Sequence, residues 1–244
     1  MGETVAFLSG KGGTGKTSIC AGVAAALARE GQRVLCIDCD VGLRNLDIAL
    51  GLSDMASLSF MDICSGSYVF EELPSHPRFP TLWFLTAPVN ITADAVDRDA
   101  FEAMLRVARE KYDYILLDAA AGVDAGFRLA AGAGDRIFVV TGAHPAAVRD
   151  AGRVGQLLEL MGKTNVRLIV NRITGRLASA IGCNVDDIMD DAALPLMGVV
   201  PDDPAVILAA AFGTPLLLHT KKGAAAACKR IARRLRGIPT PIDL

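Results

Sequence analysis

Seven short apolar runs constrain this chain most: Val5–Ser9, Arg33–Asp38, Leu82–Thr86, Tyr114–Asp118, Arg136–Thr141, Val166–Asn171 and Met197–Pro201. Most are continuous rather than alternating in polarity. A strand with one wet face alternates, and a strand buried on both faces does not. These runs therefore predict a mostly parallel sheet covered by helices on each side. The segments between them suit helices. Lys16–Glu30 is Ala-rich and stops at Gly31, a good left-handed C-terminal cap. Arg98–Lys111 and Ala146–Met161 read the same way. The expected fold class is α/β, a doubly wound domain. A length of 244 residues suits one such domain and is short for two. No repeat or linker interrupts it, so residues 1–244 are expected to form a single domain. Ser65–Pro80 reads as an irregular surface excursion.

Composition narrows the function. At 52% hydrophobic residues the chain is not a disordered one. A net charge of −2 provides no global basic field, so DNA is not expected as a partner. The longest apolar candidate, Ala205–Leu218, is broken by Gly213 and Pro215 and falls short of the roughly 18 residues of a membrane span. No basic, apolar and small-residue series precedes the first strand, so a cytoplasmic protein is expected. Cysteines 20, 36, 39, 64, 183 and 228 then read as reduced thiols. Cys36 and Cys39 have CxxC spacing, but on a strand they face opposite sides.

Gly10-Lys-Gly-Gly-Thr-Gly-Lys16-Thr17 matches GxxxxGK[ST], between an apolar strand and a helix. Glycines let the backbone turn tightly and aim N–H groups at phosphate oxygens, and the helix start adds its positive end. The expected cofactors are ATP and Mg²⁺. The expected cradle is Gly10, Lys11, Gly12, Gly13, Thr14, Gly15, Lys16, Thr17 and Ser18. Lys16 is expected to reach the β- and γ-phosphates, and Thr17 to hold Mg²⁺. Asp38, Asp40 and Asp118 sit at or beyond the C-terminal ends of strands, where parallel sheets present ligands. Mg²⁺ needs one or two carboxylates, so Asp38 and Asp118 join Thr17 as its candidate holders. Asp40 opens a Gly-containing loop and is the candidate to orient an attacking water. The alternative is that these acids only cap turns.

Asp38-Cys-Asp-Val-Gly-Leu-Arg-Asn-Leu-Asp47 closely resembles the D-x-D-[IV]-G-L-R-N-L-D switch of the MinD family, ATPases that position the bacterial division septum. Lys11 within the loop is similar to the second lysine of the deviant Walker A class, KGGxGKT. Ile115–Gly122 resembles that family's Walker B segment, and Ala147–Arg153 its VRDxxR helix start. Asn171 and Arg172 fall in a segment similar to the one whose Asn contacts adenine. Pro201 and Asp202 fall in a segment like the I-P-x-D loop near the base. The resemblance implies a homodimer formed on ATP, with Lys11, Lys16 and Asp40 as catalytic residues and Lys11 reaching the partner's phosphates. It also implies hydrolysis that is slow until a partner stimulates it, a division-inhibitor partner, and peripheral attachment to the inner face of the membrane.

Three departures from the family pattern bear on these expectations. Ala119 and Ala120 stand where the family usually has Ser and Pro, which lowers the expected turnover. Gly152 replaces the second acid of VRDxDR. The family's terminal helix, with bulky apolar residues and lysines, has no counterpart before Leu244. Two rival readings are a nucleotide-gated protein-binding module with little hydrolysis and a ParA-like DNA-partitioning ATPase. Residues 223–236 form a basic amphipathic helix, expected to pack on the domain through its Ala-rich side; the rival is a surface for lipid or DNA.

Overall fold

The computed structural model describes residues 1–174 and 185–242. Its centre is an eight-stranded sheet in the order β3-β4-β2-β5-β1-β6-β7-β8. The strands are β1 (Glu3–Leu8), β2 (Val34–Cys39), β3 (Ser75–His76), β4 (Phe79–Leu85), β5 (Tyr114–Ala119), β6 (Arg136–Gly142), β7 (Val166–Ile173) and β8 (Leu196–Pro201). All neighbours pair in parallel except β3 with β4. The continuous apolar runs are thus buried on both faces, as their lack of alternation requires.

From β1 the chain winds outward to β2 and β4, returns to β5, then crosses to β6, β7 and β8. The reversal falls beside β1, and sheets of this kind bind ligands beyond the strand ends at that point. On one face lie α1 (Lys16–Arg29), α2 (Leu46–Leu50), α8 (Ala205–Ala211), α9 (Leu216–His219) and α10 (Gly223–Leu235). On the other lie α3 (Phe60–Cys64), α4 (Arg98–Lys111), α5 (Ala125–Ala133), α6 (Pro145–Leu160) and α7 (Val185–Ala192). Cys36 joins the first core and Cys39 the second, so the CxxC pair is split across the sheet. Cysteines 20, 36, 39, 64 and 228 are free thiols; Cys183 lies outside the described residues.

Residues 65–80 are more than an irregular excursion. Phe70, Leu73, His76 and Phe79 are buried, and β3 adds the one antiparallel edge. Two residues are too few to show a period, so this strand left no pattern in the sequence. The basic C-terminal helix takes its packing role. In α10, Ala224, Ala225, Ala227, Cys228, Ile231, Ala232 and Leu235 are buried, against α1 and β8. Its small residues let α1 come close: a β-carbon on Gly22 would lie 2.5 Å from the Cys228 sulfur. Arg234 donates to the Met197 and Thr240 carbonyls at 2.9 Å and to that of Pro241, and Arg236 pairs with Glu30. The apolar face of α10 is therefore committed to the core. Among the described residues no helix is long and apolar enough to cross a membrane.

Candidate nucleotide site

The loop from Gly10 to Thr17 leaves β1 and enters α1 without a side-chain cap and without an acid in the first turn. The first N–H groups of α1 are thus left to face an anion. Gly15 has φ +87° and touches Asn171 so closely that a side chain would collide with its amide nitrogen. That nitrogen donates to the Thr14 carbonyl at 2.7 Å, so β7 clamps the loop. Ser9 Oγ donates to the Lys11 carbonyl at 3.1 Å, and the Gly122 N–H donates to the Ser9 carbonyl at 3.0 Å. The loop is preformed from both sides.

Lys16 is buried, and its Nζ donates to Asp118 Oδ1 at 2.6 Å, with Thr17 Oγ1 at 3.4 Å. Burial works against the ammonium charge, but the charge and hydrogen bond of Asp118, with Asp40 adding, outweigh it and raise the Lys16 pKa. The other oxygen of Asp118, Oδ2, is buried and has no hydrogen-bond partner among the described residues. An acceptor left open in this way suits a water carried by Mg²⁺, which keeps several of its waters. Among the described residues no cluster of three or more His, Cys, Asp or Glu could hold a metal alone. Thr17 and Asp118 would therefore share the ion with phosphate oxygens, and the donor set fits it.

Asp38 lies opposite Asp118 in the β2–β5 ladder and is fully buried. Its Oδ1 accepts the Asp40 N–H at 2.9 Å, and its Oδ2 accepts those of Asn45 at 3.2 Å and Leu46 at 3.1 Å. Burial first, and the Asp118 charge second, push its pKa up to about 6, although the three N–H bonds favour the anion. In this structure Asp38 ties down the loop between β2 and α2. Asp40, half-buried at the head of that loop, has a carboxyl that hydrogen-bonds to no described residue. Its carboxyl is raised by burial, with Lys16 pulling it down and Asp118 pushing it up. Farther along, Arg44 Nε holds Asp47 at 2.7 Å. Lys11 is exposed on the rim of the loop, and its ammonium pairs with no described acid.

Behind the loop a cavity of about 320 Å³ opens between β7, β8, α8 and α10. Gly15, Ser18, Asn171, Arg172, Pro201 and Asp202 line it, so the residues expected near a base meet there. Arg172 has φ +58°, at a register shift between β7 and β8. Sequence reasoning missed Asp203, Val206, Ile207 and Cys228, which also stand in the wall. Asp203 accepts the N–H of Ala205 and of Ala224, both at 2.9 Å, and so caps two helices. The signal available was the Asp203-Pro204 start of a helix. Nothing local marks Cys228, which arrives from α10.

The departures have structural counterparts. Ala119 is buried in β5, and Ala120 faces Gly126 of α5 with no room to spare. A β-carbon on Gly152 would lie 3.4 Å from the Asp191 carbonyl, so a carboxylate there would be set against an acceptor.

Residues 5–216 match the CobQ/CobB/MinD/ParA nucleotide binding domain family. The septum site-determining protein MinD of Synechocystis is 38% identical over 244 residues, covering 99% of this chain and 92% of its own. The MinC:MinD cell division protein complex of Aquifex aeolicus superposes with a TM-score of 0.91 at 35% identity, over 99% of this chain and 98% of that one. MinD of Pyrococcus horikoshii, solved with Mg-ADP, gives a TM-score of 0.80 at 27% identity, covering 96% of each. With the loop, the switch segment and the cavity behind them arranged as described, and with these matches, the chain belongs to the septum site-determining MinD family of P-loop ATPases.

Proposed function

We propose that this MinD-family ATPase binds Mg-ATP, dimerises on it, and regulates where a cell divides by changing its assembly state. The observation that carries this reading is the exposed Lys11, paired with no described acid, beside a site whose own Lys16 is buried. A lysine that serves only its own site has no reason to stand outside it. Facing a second copy, Lys11 supplies charge to the phosphates bound there.

Phosphate entering the loop competes with Asp118 for Lys16. Lys16 then neutralises the phosphate oxygens, and Asp118, so released, and Thr17 are the residues that would hold Mg²⁺. Bound Mg²⁺ contributes charge neutralisation across the phosphates. Asp40, whose carboxyl hydrogen-bonds to no described residue, orients the attacking water; Asp38 sets the position of Asp40 by accepting its N–H. Lys11 and Lys16 stabilise the charge that develops on the transferred group. Asn171, Arg172, Pro201 and Asp202 receive the base.

Turnover is slow until a partner repositions the Asp40 loop, and an inhibitor protein docks on the ATP-bound form. Location is cytoplasmic and peripheral at the membrane, with α10 excluded as the inserting element. The Asp40→Ala variant tests this reading. Size analysis should show a dimer with ATP and not with ADP, and the variant should keep the dimer while hydrolysis falls. A variant that stays monomeric with ATP while the wild type dimerises would refute the role of Asp40. The tight Ala119–Ala120 segment favours a second reading, a nucleotide-gated binding module. Steady-state phosphate release that stays undetectable under all conditions would select it.

A further inference from the structure

Ser9 stands just before the phosphate loop and is 1% exposed. A hydroxyl so deeply buried must give its proton to an acceptor or lose free energy. Ser9 Oγ gives it to the Lys11 carbonyl, at 3.1 Å. Ser9 is itself fixed: it continues directly from β1, and its own carbonyl accepts the Gly122 N–H at 3.0 Å. An anchored side chain therefore holds the peptide that joins Lys11 to Gly12.

That peptide has little else to set its direction. Lys11 lies between Gly10 and Gly12, with Gly13 beyond, and glycine backbones rotate freely. Among the described residues, a β-carbon on Gly12 would meet only the Ala121 side chain, at 4.0 Å, and one on Gly13 would meet nothing within 4 Å. The Asn171 clamp acts three residues further on, at the Thr14 carbonyl. Lys16 is placed at the tip of its side chain, by Asp118. Lys11 is exposed and its ammonium pairs with no described acid, so its direction is set at its backbone. A long side chain that must meet a phosphate elsewhere loses less freedom when its backbone is already fixed.

We propose that Ser9 is a positioning residue for Lys11: its hydroxyl fixes the peptide from which Lys11 reaches the phosphates bound to a second copy. The inference rests on the ATP-dependent dimer proposed above, and it assigns a role to a residue outside the loop motif, which begins at Gly10.

The test is a double-mutant cycle on dimerisation of the full chain. Dimer affinity is read by sedimentation with Mg-ATP, over a protein range that reaches the weakest variant, and ADP affinity is read by calorimetry. Ser9→Ala should weaken the dimer about tenfold, since both copies of a symmetric pair lose the bond. Its ADP affinity should fall by less than about threefold, because Lys16, the start of α1 and the Asn171 clamp remain. Lys11→Ala should weaken the dimer further, by about thirtyfold. With Lys11→Ala already present, Ser9→Ala should cost the dimer nothing more, because no ammonium is left to aim. A hydroxyl that only braces the loop would cost the same factor in both backgrounds. Equal costs in the two backgrounds, an unchanged dimer in Ser9→Ala, or an ADP loss as large as the dimer loss would overturn the proposal. An unchanged dimer in Lys11→Ala would instead overturn the reading of the dimer through Lys11. Loss in Lys11→Ala without loss in Ser9→Ala would leave that reading standing and remove only this one.

Discussion

The two halves of the nucleotide site are built on opposite plans. The phosphate half is a set of buried charges, each held by a named partner: Lys16 by Asp118, and Asp38 by three backbone N–H groups. The proposed base half is a cavity of about 320 Å³ whose wall comes from distant parts of the chain. Charge out of water needs near-complete pairing, so the first half tolerates almost no variation. A flat apolar ligand needs shape and a few polar groups, so the second can be assembled from many residue types. Asn171 joins them, lining the cavity and holding the loop through the Thr14 carbonyl.

The largest effect should come from breaking the phosphate half alone. Lys16→Ala is expected to weaken ATP by about a thousandfold, read by titration calorimetry. It also strands Asp118 as a buried anion, so the melting midpoint should fall by an amount corresponding to about 3 kcal/mol. Gly15→Ala strikes both halves, because the new methyl meets Asn171 and φ is +87°. A loss of about 1–3 kcal/mol in stability is expected, with ATP affinity reduced roughly a hundredfold. Asn171→Ala cuts the link and should cost about tenfold in ATP affinity. Cys228→Leu sharpens the comparison: it fills the cavity and should weaken ATP several-fold, about 1 kcal/mol, while inorganic triphosphate binds as before.

The smallest effect is a titration. The Asp38 carboxyl is raised from 3.8 to about 6, so the folded state keeps a proton that the unfolded chain gives up. Its contribution to stability is full below 3.8 and lost as pH rises through about 6. Carboxyl carbon shifts in NMR should show this midpoint. Asp118→Asn should lower it only in part, because burial is the larger cause.

How far the sequence was legible follows the same division. A backbone forced to φ +79° at Gly13 and +87° at Gly15 demands glycine, so the phosphate loop can be read directly. Strands buried on both faces write themselves as unbroken apolar runs, and each run expected was found in the sheet. The edge strand β3 was hidden by its length, and its anchor His76 reads as a loop residue until its Nε2 is seen 2.8 Å from the Leu50 carbonyl. Asp118 was legible as an acid at a strand end. Its bond to Lys16, across 102 residues, was not, because pairing in space leaves no local trace. Cys228 and Ile207 became wall residues only through the docking of α10 and α8, and nothing periodic signals that.

Asp203 has a mechanical consequence. One carboxylate is divided between the starts of α8 and α10, and it also borders the cavity. The starts of the two helices are therefore tied together, one helix carrying the exposed Ile207 and Leu208 and the other buried against α1. Asp203, Val206 and Ile207 all border the cavity, so a displacement of α8 moves part of its wall. On the proposed function, what α8 touches and how firmly a base is gripped are linked.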